Sequence, residues 1–375
     1  MTAAKRNAWP RDAVLIMAGG TGGHVFPALA VADELRRAGQ PVLWLGTQAG
    51  LEAKVVPAAG LPIAWISVRG LRGKGLMRLL TAPFMLAGAL LQAGSILLRA
   101  RPRAVLGMGG FVTGPGGFMA WLLRRPLLIH EQNSVAGLTN RLLAPLASRV
   151  MEAFPGSLPQ RLQVLHTGNP VRGTITLVAP PQERFAARQG ALRLLVLGGS
   201  LGAQALNEIL PQALALLPAE QRPEVHHQAG VRHIDAARAA YHQSNVTARV
   251  DAFVEDMAEA YTWADLVVCR AGALTIAELT AVGVASVLVP FPYAVDDHQT
   301  SNARYLVDAR AALLIPQADL NAQRLADVLK DFITHREKLL SMAIAARGLA
   351  RIDAAQVVAQ QCLALAGLGL KGKAA

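Results

Sequence analysis

The chain has 375 residues, which is typical of two or three compact domains, and 53% of them are hydrophobic, enough for a sizeable core. Only 17% are charged, so the composition excludes a mainly disordered protein. With two cysteines, Cys269 and Cys362, the chain has neither a disulfide scaffold nor a cluster of paired cysteines for zinc. We therefore expect a globular protein of a reducing compartment, and the N-terminus has no apolar stretch of signal-peptide length.

The net charge of +12 is confined to the first 170 residues, which hold 18 Lys and Arg against 6 Asp and Glu. The remaining residues hold 19 of each kind. A basic half suits a phosphorylated ligand, an anionic membrane or nucleic acid. Because aromatic residues are scarce and no nucleic-acid-binding motif is present, nucleic acid ranks last and is not expected as a partner.

The first half alternates buried strands, glycine turns and helices. A predicted strand at residues 14–18 leads into a glycine turn at 19–24 and a helix that ends near residue 37. The other predicted strands of this half cover residues 42–45, 104–106 and 127–130. A second glycine-rich turn covers residues 107–117 and is followed by a helix.

The second half repeats this order. The predicted strands cover residues 194–197, 266–269 and 286–289, and the predicted helices cover 205–210 and 274–282. The pattern predicts an α/β protein with two Rossmann-like, doubly wound domains facing each other across a cleft. We expect one domain at residues 1–170 and another at 171–345, joined by a linker around Pro170. Residues 346–375 are predicted to be helical, with a break near Gly348, and to pack back on the first domain.

Residues 79–98 form a run of 20 residues without a charge, long enough to cross a bilayer. Pro83, Gly88 and the position of the run between two strands of one sheet disfavour a span. Basic residues precede it: Arg69, Arg72, Lys74 and Arg78. An apolar helix beside a basic cluster predicts peripheral binding to an anionic leaflet. The alternative is an ordinary buried helix with solvated arginines.

The first glycine turn, residues 19–24, places backbone amides at a helix N-terminus, which suits a phosphate or pyrophosphate. It is neither a Walker A motif nor a dinucleotide fingerprint, and no acidic residue ends the second strand. His24 begins the helix, where the dipole disfavours the imidazolium, so it is a candidate neutral base. The alternative role for His24 is to cap the helix.

Three further groups of residues are candidates for binding an anionic sugar ligand. In the first half, six glycines surround Thr113, and Glu131 follows a strand, where it can orient an imidazole or pair with an arginine. In the second half, Ser200 and Arg172 can bind one phosphate, and Glu278 can accept both hydroxyls of a ribose. The polar run Asp296, Asp297, Gln299 and Asn302 suits a sugar. The alternatives are a tight turn for the glycines around Thr113 and a surface loop for the polar run. No Asp-x-Asp occurs, so we expect neither a metal nor a cofactor.

Six motifs carry a resemblance to a known family. They are residues 19–27 (GGTGGHVFP), 109–115 (GGFVTGP), 130–133 (HEQN), 168–172 (GNPVR), 198–203 (GGSLGA) and 269–275 (CRAGALT). Their order and spacing resemble the MurG family of bacterial N-acetylglucosaminyltransferases, over about residues 12–365. The resemblance implies a GT-B fold and a peripheral enzyme at the cytoplasmic side of the inner membrane. It also implies the inverting transfer of N-acetylglucosamine from UDP-GlcNAc to the 4-hydroxyl of the muramoyl sugar of lipid I, which forms lipid II.

The resemblance also implies roles for individual residues. The first domain is expected to bind the acceptor at the membrane side and the second to bind the UDP-sugar. His24 is the candidate base with Glu131 behind it, and Leu201 and His298 depart from the usual family residues. The implied donor-binding residues are Thr21, Gly22, Gly23, Asn133, Arg172, Ser200, Glu278 and Gln299, and the implied residues for the acceptor diphosphate are Gly19, Gly20, Gly109, Gly110, Thr113 and Gly114. The alternatives are a UDP-sugar epimerase, a transferase with another acceptor, or a non-enzymatic nucleotide-sugar binding protein.

Overall fold

The computed structural model describes residues 9–68, 76–186, 188–199 and 202–368. Ser200 and Leu201, Arg69, Arg72 and Lys74 lie outside them. The chain divides into two compact units. The first comprises Met1–Arg172 and Asp353–Ala375, and the second comprises Gly173–Ile352.

The first unit is built on a parallel sheet, with seven strands in the described residues, in the order β3-β2-β1-β4-β5-β6-β7. The strands are β1 Val14–Met17, β2 Val42–Gly46, β3 Ile63–Trp65, β4 Ala104–Gly107, β5 Leu127–Glu131, β6 Arg149–Glu152 and β7 Leu165–His166. β1 pairs with β2 and β4, so that Leu15 lies opposite Leu43 and Val105. All four residues of β1 are buried, because helices cover both faces of the sheet.

The helices of the first unit are α1 Gly22–Arg37, α2 Glu52–Ala58, α3 Leu76–Ala100, α4 Thr113–Leu122, α5 Leu138–Leu143 and, at the end of the chain, α15 Ala354–Leu365. Alternate residues of β1 enter two different cores. Val14 and Ile16 pack in a core with residues of α1 and α15. Leu15 and Met17 pack in the opposite core with residues of α3 and α4.

The second unit repeats this plan with a parallel sheet, six-stranded in the described residues, in the order β10-β9-β8-β11-β12-β13. Its strands are β8 Arg193–Leu197, β9 Glu224–Gln228, β10 Arg249–Asp251, β11 Leu266–Cys269, β12 Ala285–Leu288 and β13 Ala312–Leu314. Its helices are α6 Gly173–Thr176, α7 Pro181–Ala186, α8 Gln204–Ala215, α9 Ile234–Gln243, α10 Met257–Trp263, α11 Ala273–Val282, α12 His298–Val307, α13 Ala322–Thr334 and α14 Arg336–Gly348. The prediction of two doubly wound α/β sheets is confirmed.

The long apolar run lies in α3, which connects β3 to β4. Among the described residues, the part of this helix at Ala82–Ala100 is long and apolar enough to cross a bilayer. Its second half contributes Ile96, Leu97 and Ala100 to the core of the first unit. Phe84 and Leu91, by contrast, are 81% and 76% exposed. The helix is therefore the crossover between two strands of one sheet, with one side in the core and exposed apolar residues elsewhere.

The C-terminal segment differs from the predicted boundaries. Residue 346 lies within α14, which ends at Gly348 and belongs to the second unit. The first unit resumes at Asp353, and Val358, Ala359 and Cys362 of α15 are buried in its core. The sequence alone places a break near Gly348, but the division between the units falls slightly later, between α14 and α15.

Candidate active site

Both sheets reverse their strand order at one position, and glycine turns follow the strands there. In the first unit the reversal lies between β1 and β4, and in the second it lies between β8 and β11. Ligands of open α/β sheets bind beyond the carboxyl ends of the strands at such a switch point. Gly19 and Gly20 follow β1, and Gly109 and Gly110 follow β4. The candidate site of the first unit is therefore the carboxyl edge at β1, β4 and β5.

His24, in the first turn of α1, is oriented by a glutamine. Its Nδ1 lies 3.1 Å from Oε1 of Gln132, and Nε2 of Gln132 donates to the carbonyl of Met108 at 2.7 Å. Because that bond requires the amide nitrogen to face Met108, the oxygen faces His24, and Nδ1 of His24 is the donor. The neutral imidazole then has its lone pair on Nε2, the atom that can accept a proton. Thr21, the N-cap residue of α1, makes no capping hydrogen bond through its side chain.

The two glycine turns pack directly against each other. A Cβ at Gly109 would lie 2.6 Å from Nδ1 of His24, and one at Gly110 would lie 2.3 Å from the carbonyl oxygen of Gly19. Both glycines also have positive φ angles, of 95° and 85°. Gly109 and Gly110 are thus required for close packing between the turns and against the imidazole, a reason that is independent of any ligand.

Glu52, the first residue of α2, organises the turn after β1 and was missed in the sequence. It is buried, and its carboxylate accepts hydrogen bonds from the Gly20 amide at 2.9 Å and from the Thr47 amide and hydroxyl at 2.9 and 2.7 Å. A Cβ at Gly19 or Gly50 would collide with this carboxylate. The Gly20 amide, predicted to bind a phosphate, is therefore already bonded. The signal that could have identified Glu52 in the sequence is an acidic residue six positions after the end of β2, close to Gly50.

Glu131, predicted to support His24, holds a different segment. It is buried at the end of β5. Its carboxylate accepts hydrogen bonds from the amides of Asn133 and Gly137 at 2.9 and 3.1 Å and from the side chain of Asn140 at 2.9 Å. The residue that contacts the imidazole is Gln132. The placement of Glu131 behind His24 is therefore corrected, because its oxygens are occupied by donors of residues 133–140, and its effect is to position Asn133.

Thr113 also differs from its predicted role. It is fully buried at the start of α4, and its hydroxyl lies 2.9 Å from the carbonyl of Gly109 and 3.2 Å from that of Met17. The predicted turn at residues 107–117 is shorter, since α4 includes Thr113, Gly114 and the residues up to Leu122. Thr113 therefore fixes the turn from inside, with its hydroxyl directed to backbone carbonyls.

The motif at residues 168–172 is held by a buried histidine. Nε2 of His130 lies 3.0 Å from the carbonyl of Gly168 and 3.1 Å from the hydroxyl of Thr167. Burial lowers the pKa of His130 to about 4, against the opposing effect of the bond to Gly168, so the imidazole is neutral at pH 7. His130 thereby ties β5 to the segment that carries Arg172.

Arg172 is the last residue of this part of the first unit, and its guanidinium lies 5.6 Å from the centre of the Phe26 ring. The ring belongs to α1, two residues after His24. Asn169 is buried, and within the described residues neither polar atom of its amide has a hydrogen-bond partner. A buried amide of this kind is normally satisfied by a ligand or a bound water.

In the second unit, Gln228 braces the glycine turn after β8. Its Nε2 donates to the carbonyl of Gly199 at 3.1 Å, and its Oε1 accepts from the amide of Val254 at 3.1 Å. Gly202 has a positive φ of 78°, and a Cβ there would lie 2.3 Å from the carbonyl oxygen of Ala229. The turn is thus held from β9 and from the segment after β10. Ser200, in the middle of it, lies outside the described residues.

Glu278 lies on α11, which begins beyond the carboxyl end of β11, as the sequence predicts. It is 5% exposed, and the hydroxyl of Tyr261 donates to its Oε2 at 3.0 Å. The side chain of Arg270, just after β11, donates to the carbonyls of Val289 and Pro290 at 3.0 and 3.1 Å. The turn between β11 and α11 is therefore fixed by a partly buried arginine, and the carboxylate of Glu278 by a buried phenol.

The polar run before and within α12 divides into exposed and buried members. Gln299 is partly exposed and accepts a hydrogen bond from the Phe291 amide at 2.9 Å through Oε1. Asp296 and Asp297 are exposed and adopt positive φ angles. Asn302, predicted as a sugar contact, is instead fully buried and donates to the carbonyl of Ala271 at 3.2 Å. In the described part of the chain, no group of three or more acidic, histidine or cysteine side chains is arranged to hold a metal ion.

Comparison with known proteins identifies the family. The model of the "Glycosyltransferase family 28 N-terminal domain" matches residues 14–152, and that of the "Glycosyltransferase family 28 C-terminal domain" matches residues 193–360. A protein of Nitrosococcus oceani is 60% identical over 94% of this chain and 98% of its own length, and one of Alkalilimnicola ehrlichii is 61% identical over 93% and 98%. Both are named "UDP-N-acetylglucosamine--N-acetylmuramyl-(pentapeptide) pyrophosphoryl-undecaprenol N-acetylglucosamine transferase".

The chain belongs to glycosyltransferase family 28. Its fold also matches the crystal structure of MurG from Acinetobacter baumannii, with a TM-score of 0.80 and 42% identity over 95% of this chain and 100% of that one. The resemblance to the MurG family and the GT-B fold expected from it are thereby confirmed.

The structure of this family 28 chain groups the predicted site residues by unit. At the edge of the first sheet it brings together Gly19, Gly20, His24, Gly109 and Gly110, with Asn133 at the end of β5. Glu278 and Gln299 lie in the second unit, and Arg172 ends the first segment of the first unit. Sequence reasoning missed the residues that orient them: Glu52, Gln132, Gln228 and Tyr261.

Proposed function

We propose that this chain transfers N-acetylglucosamine from UDP-GlcNAc to the muramoyl sugar of lipid I, an undecaprenyl-diphosphate acceptor, and so forms lipid II in peptidoglycan synthesis. The observation that carries the proposal is the similarity, over nearly the whole chain, to transferases named for these substrates. The 4-hydroxyl of the muramoyl sugar attacks C1 of N-acetylglucosamine from the side opposite UDP. UDP leaves, and the configuration at C1 inverts.

His24 is proposed as the general base that takes the proton of the attacking hydroxyl. Its Nδ1 donates to Oε1 of Gln132, which directs the lone pair of the imidazole to Nε2. Gly109, packed against the ring, restricts its position. Glu131 acts one step further away, by holding Asn133, which approaches the donor sugar.

The acceptor diphosphate is proposed to bind at the two glycine turns of the first unit. The turn at Gly19 and Gly20 leads into the N-terminus of α1, where the N-cap residue Thr21 makes no capping hydrogen bond through its side chain. The positive end of the helix dipole suits an anionic group there. Gly114, in the first turn of α4, supplies a second helix N-terminus. Thr113, Gly109 and Gly110 shape these turns and are not proposed as direct contacts.

The donor is proposed to bind mainly to the second unit. Glu278 accepts the ribose hydroxyls, and Ser200 and Arg172 bind the diphosphate, whose growing charge is also stabilised by the amides of the turn before α8. Gln299 uses Oε1 to hold the Phe291 amide, so a sugar contact would come from its Nε2 donors. Thr21, Gly22, Gly23 and Asn133 are the proposed donor contacts from the first unit.

The chain is further proposed to bind peripherally to the cytoplasmic side of the inner membrane through an apolar face of the first unit. We define this face by exposed side chains of α3, α4 and α5: Phe84, Leu91, Trp121, Leu122, Leu138 and Leu142. Arg124 and Arg141, both exposed, lie directly after α4 and within α5. Exposed apolar side chains with neighbouring cations suit the interface of an anionic leaflet.

The test is turnover of UDP-GlcNAc by the full chain with and without a prenyl-diphosphate-linked muramoyl acceptor. The proposal expects release of UDP and formation of the disaccharide only when the acceptor is present. Conversion of UDP-GlcNAc to an isomer without acceptor would instead identify an epimerase. Binding without turnover under either condition would identify a nucleotide-sugar binding protein.

A further inference from the structure

Tyr261 makes a buried hydrogen bond to the carboxylate that is proposed to bind ribose. It lies in the last turn of α10 and is fully buried, and its hydroxyl is 3.0 Å from Oε2 of Glu278. The phenol hydroxyl donates in this pair, and the carboxylate oxygen accepts. The bond therefore fixes one oxygen of the carboxylate from inside the unit.

The helices that carry these two side chains are joined by Arg184. This buried residue of α7 donates to the carbonyl of Tyr261 at 3.2 Å and to the carbonyl of Val282 at 3.1 Å, and it also contacts the carbonyl of Gly283. Tyr261 lies near the end of α10, and Val282 ends α11. One guanidinium thus ties the ends of both helices, so the position of the phenol relative to Glu278 is fixed by the backbone as well as by its own bond.

A carboxylate that accepts two hydroxyl groups must hold its plane in one orientation. A glutamate side chain has three rotatable bonds, and its terminal torsion is broad and weakly restrained. A hydrogen bond to one oxygen removes this freedom before the ligand arrives, and such pre-organisation increases affinity and selectivity for the matching ligand. The matching ligand here is a vicinal diol.

We propose that Tyr261 is a positioning residue that orients Glu278 toward the ribose diol of the donor and so makes the chain select ribonucleotides over 2′-deoxyribonucleotides. The inference rests on the proposed ribose contact of Glu278 and adds the group that makes this contact selective. A purely structural hydroxyl would stabilise the fold without affecting this selection.

The experiment measures the dissociation constants of UDP and of 2′-deoxy-UDP by calorimetry for the full chain and for Tyr261→Phe, Glu278→Gln and the double variant. Phenylalanine keeps the ring packing and removes only the hydroxyl. We expect Tyr261→Phe to weaken UDP binding about 10-fold and 2′-deoxy-UDP binding less than about 3-fold, as for the loss of one hydrogen bond to a charged group. Selectivity is the ratio of the dissociation constant of 2′-deoxy-UDP to that of UDP. In the Glu278→Gln background, Tyr261→Phe should not change this ratio further, because the two residues act as one unit.

Tyr241→Phe is the matched control. Tyr241 is also buried in the second unit, and its hydroxyl is 2.9 Å from Nδ1 of His227, so the variant removes a comparable bond. It should lower the melting temperature and leave the ratio of the two dissociation constants unchanged. Arg184→Lys, which loosens both helices and leaves the phenol in place, should reduce the ratio in the same direction as Tyr261→Phe.

The outcomes separate this inference from the proposed function. If Glu278→Gln leaves the ratio unchanged, the ribose contact itself is wrong. If Glu278→Gln abolishes the preference for UDP but Tyr261→Phe does not change it, only the role of Tyr261 is overturned. An equal loss for both nucleotides in Tyr261→Phe would also overturn it, since it would indicate a general structural effect.

Discussion

At the scale of single residues, the proposed role of His24 as general base depends on which of its ring nitrogens carries the proton. Gln132 decides this, because its amide nitrogen is committed to Met108 and its oxygen therefore faces Nδ1. With the proton on Nδ1, the lone pair of a neutral imidazole is on Nε2. The carboxylate next in sequence, Glu131, serves the segment after β5 instead.

The first prediction concerns His24→Ala. We expect turnover to fall by about 100-fold or more, the usual effect of losing a general base, while the affinity for UDP-GlcNAc changes little. Single-turnover kinetics and donor calorimetry on the same preparation check this. A residue that only caps its helix would instead lower stability by about 1 kcal/mol and leave the rate nearly intact, and the melting temperature distinguishes the two cases.

A glycine pair provides a sharper test of the packing around His24. Gly109 and Gly39 both have positive φ angles, but a Cβ at Gly39 meets open space and one at Gly109 meets the imidazole. We expect Gly109→Ala and Gly39→Ala each to lose about 1 kcal/mol of stability from backbone strain. Only Gly109→Ala should also reduce turnover, by displacing the ring. Equal turnover in the two variants, measured at a temperature where both are folded, would show that the ring tolerates the displacement.

At the scale of elements, α3 contains both buried and exposed apolar residues. Its last turns fill the core on one face of the first sheet, which requires apolar residues such as Leu97. Phe84 and Leu91 are apolar and yet exposed, which core packing does not explain. Hydropathy alone cannot distinguish the buried apolar residues from the exposed ones, because both belong to the same charge-free run.

The third prediction tests the exposed side of this helix. The double variant Phe84→Asp and Leu91→Asp should lose most of its binding to anionic phosphatidylglycerol vesicles in a co-sedimentation assay, because it removes buried apolar area and adds repulsion from the leaflet. High salt should release the unmodified chain from these vesicles, because it screens the attraction between basic residues and the anionic leaflet.

The matched control carries the same change of charge in the second unit. Leu177 and Leu216 are exposed apolar residues there, and Leu177→Asp with Leu216→Asp should bind vesicles like the unmodified chain. An equal loss in both double variants would attribute binding to net charge alone. Retained binding in the α3 variant would exclude α3 from the membrane-binding face.

The strands and the switch-point turns were predictable from the sequence, whereas the supporting residues were not. Runs such as residues 14–17 are apolar throughout because both faces of the sheet are covered, and glycine turns follow them directly. The start of α4 was misplaced because Gly114, Gly116 and Gly117 read as a turn, although α4 includes them. Tertiary packing requires a glycine there, because a Cβ at Gly116 would lie 2.3 Å from the sulfur of Met17.

Glu52 and Tyr261 show why the site itself was only partly predictable. Each is far in sequence from the residue it holds, by 32 positions for Glu52 and Gly20 and by 17 for Tyr261 and Glu278. No local pattern encodes such a pair, because the contact depends on how the intervening strands and helices are arranged. Ligand-facing residues at strand ends carry a positional signal, and the residues behind them do not.

At the scale of the whole molecule, the described residues of each unit include a buried histidine whose pKa is strongly lowered. His130 lies in the first unit and His227 in the second. Burial lowers the pKa of His130 to about 4, and burial together with the neighbouring His226 lowers that of His227 to about 3. The unfolded chain binds a proton at each near pH 6.5. Their contribution to stability is therefore complete above pH 6.5 and is lost as the pH falls from 6.5 toward 4 and 3.

The last prediction follows from the difference between the histidine pKa values of the folded and the unfolded chain. Between pH 7 and pH 5, the free energy of unfolding of each unit should fall by about 2 kcal/mol from its buried histidine, because only the unfolded chain takes up the proton in that range. Urea denaturation followed by circular dichroism at pH 7, 6 and 5 measures the slope. In the second unit, His227→Leu combined with Tyr241→Phe removes both partners of a buried hydrogen bond, so it leaves no unpaired polar group behind. That variant should lose the acid sensitivity of the second unit and retain that of the first, and an unchanged slope in both transitions would mean that other groups bind the protons.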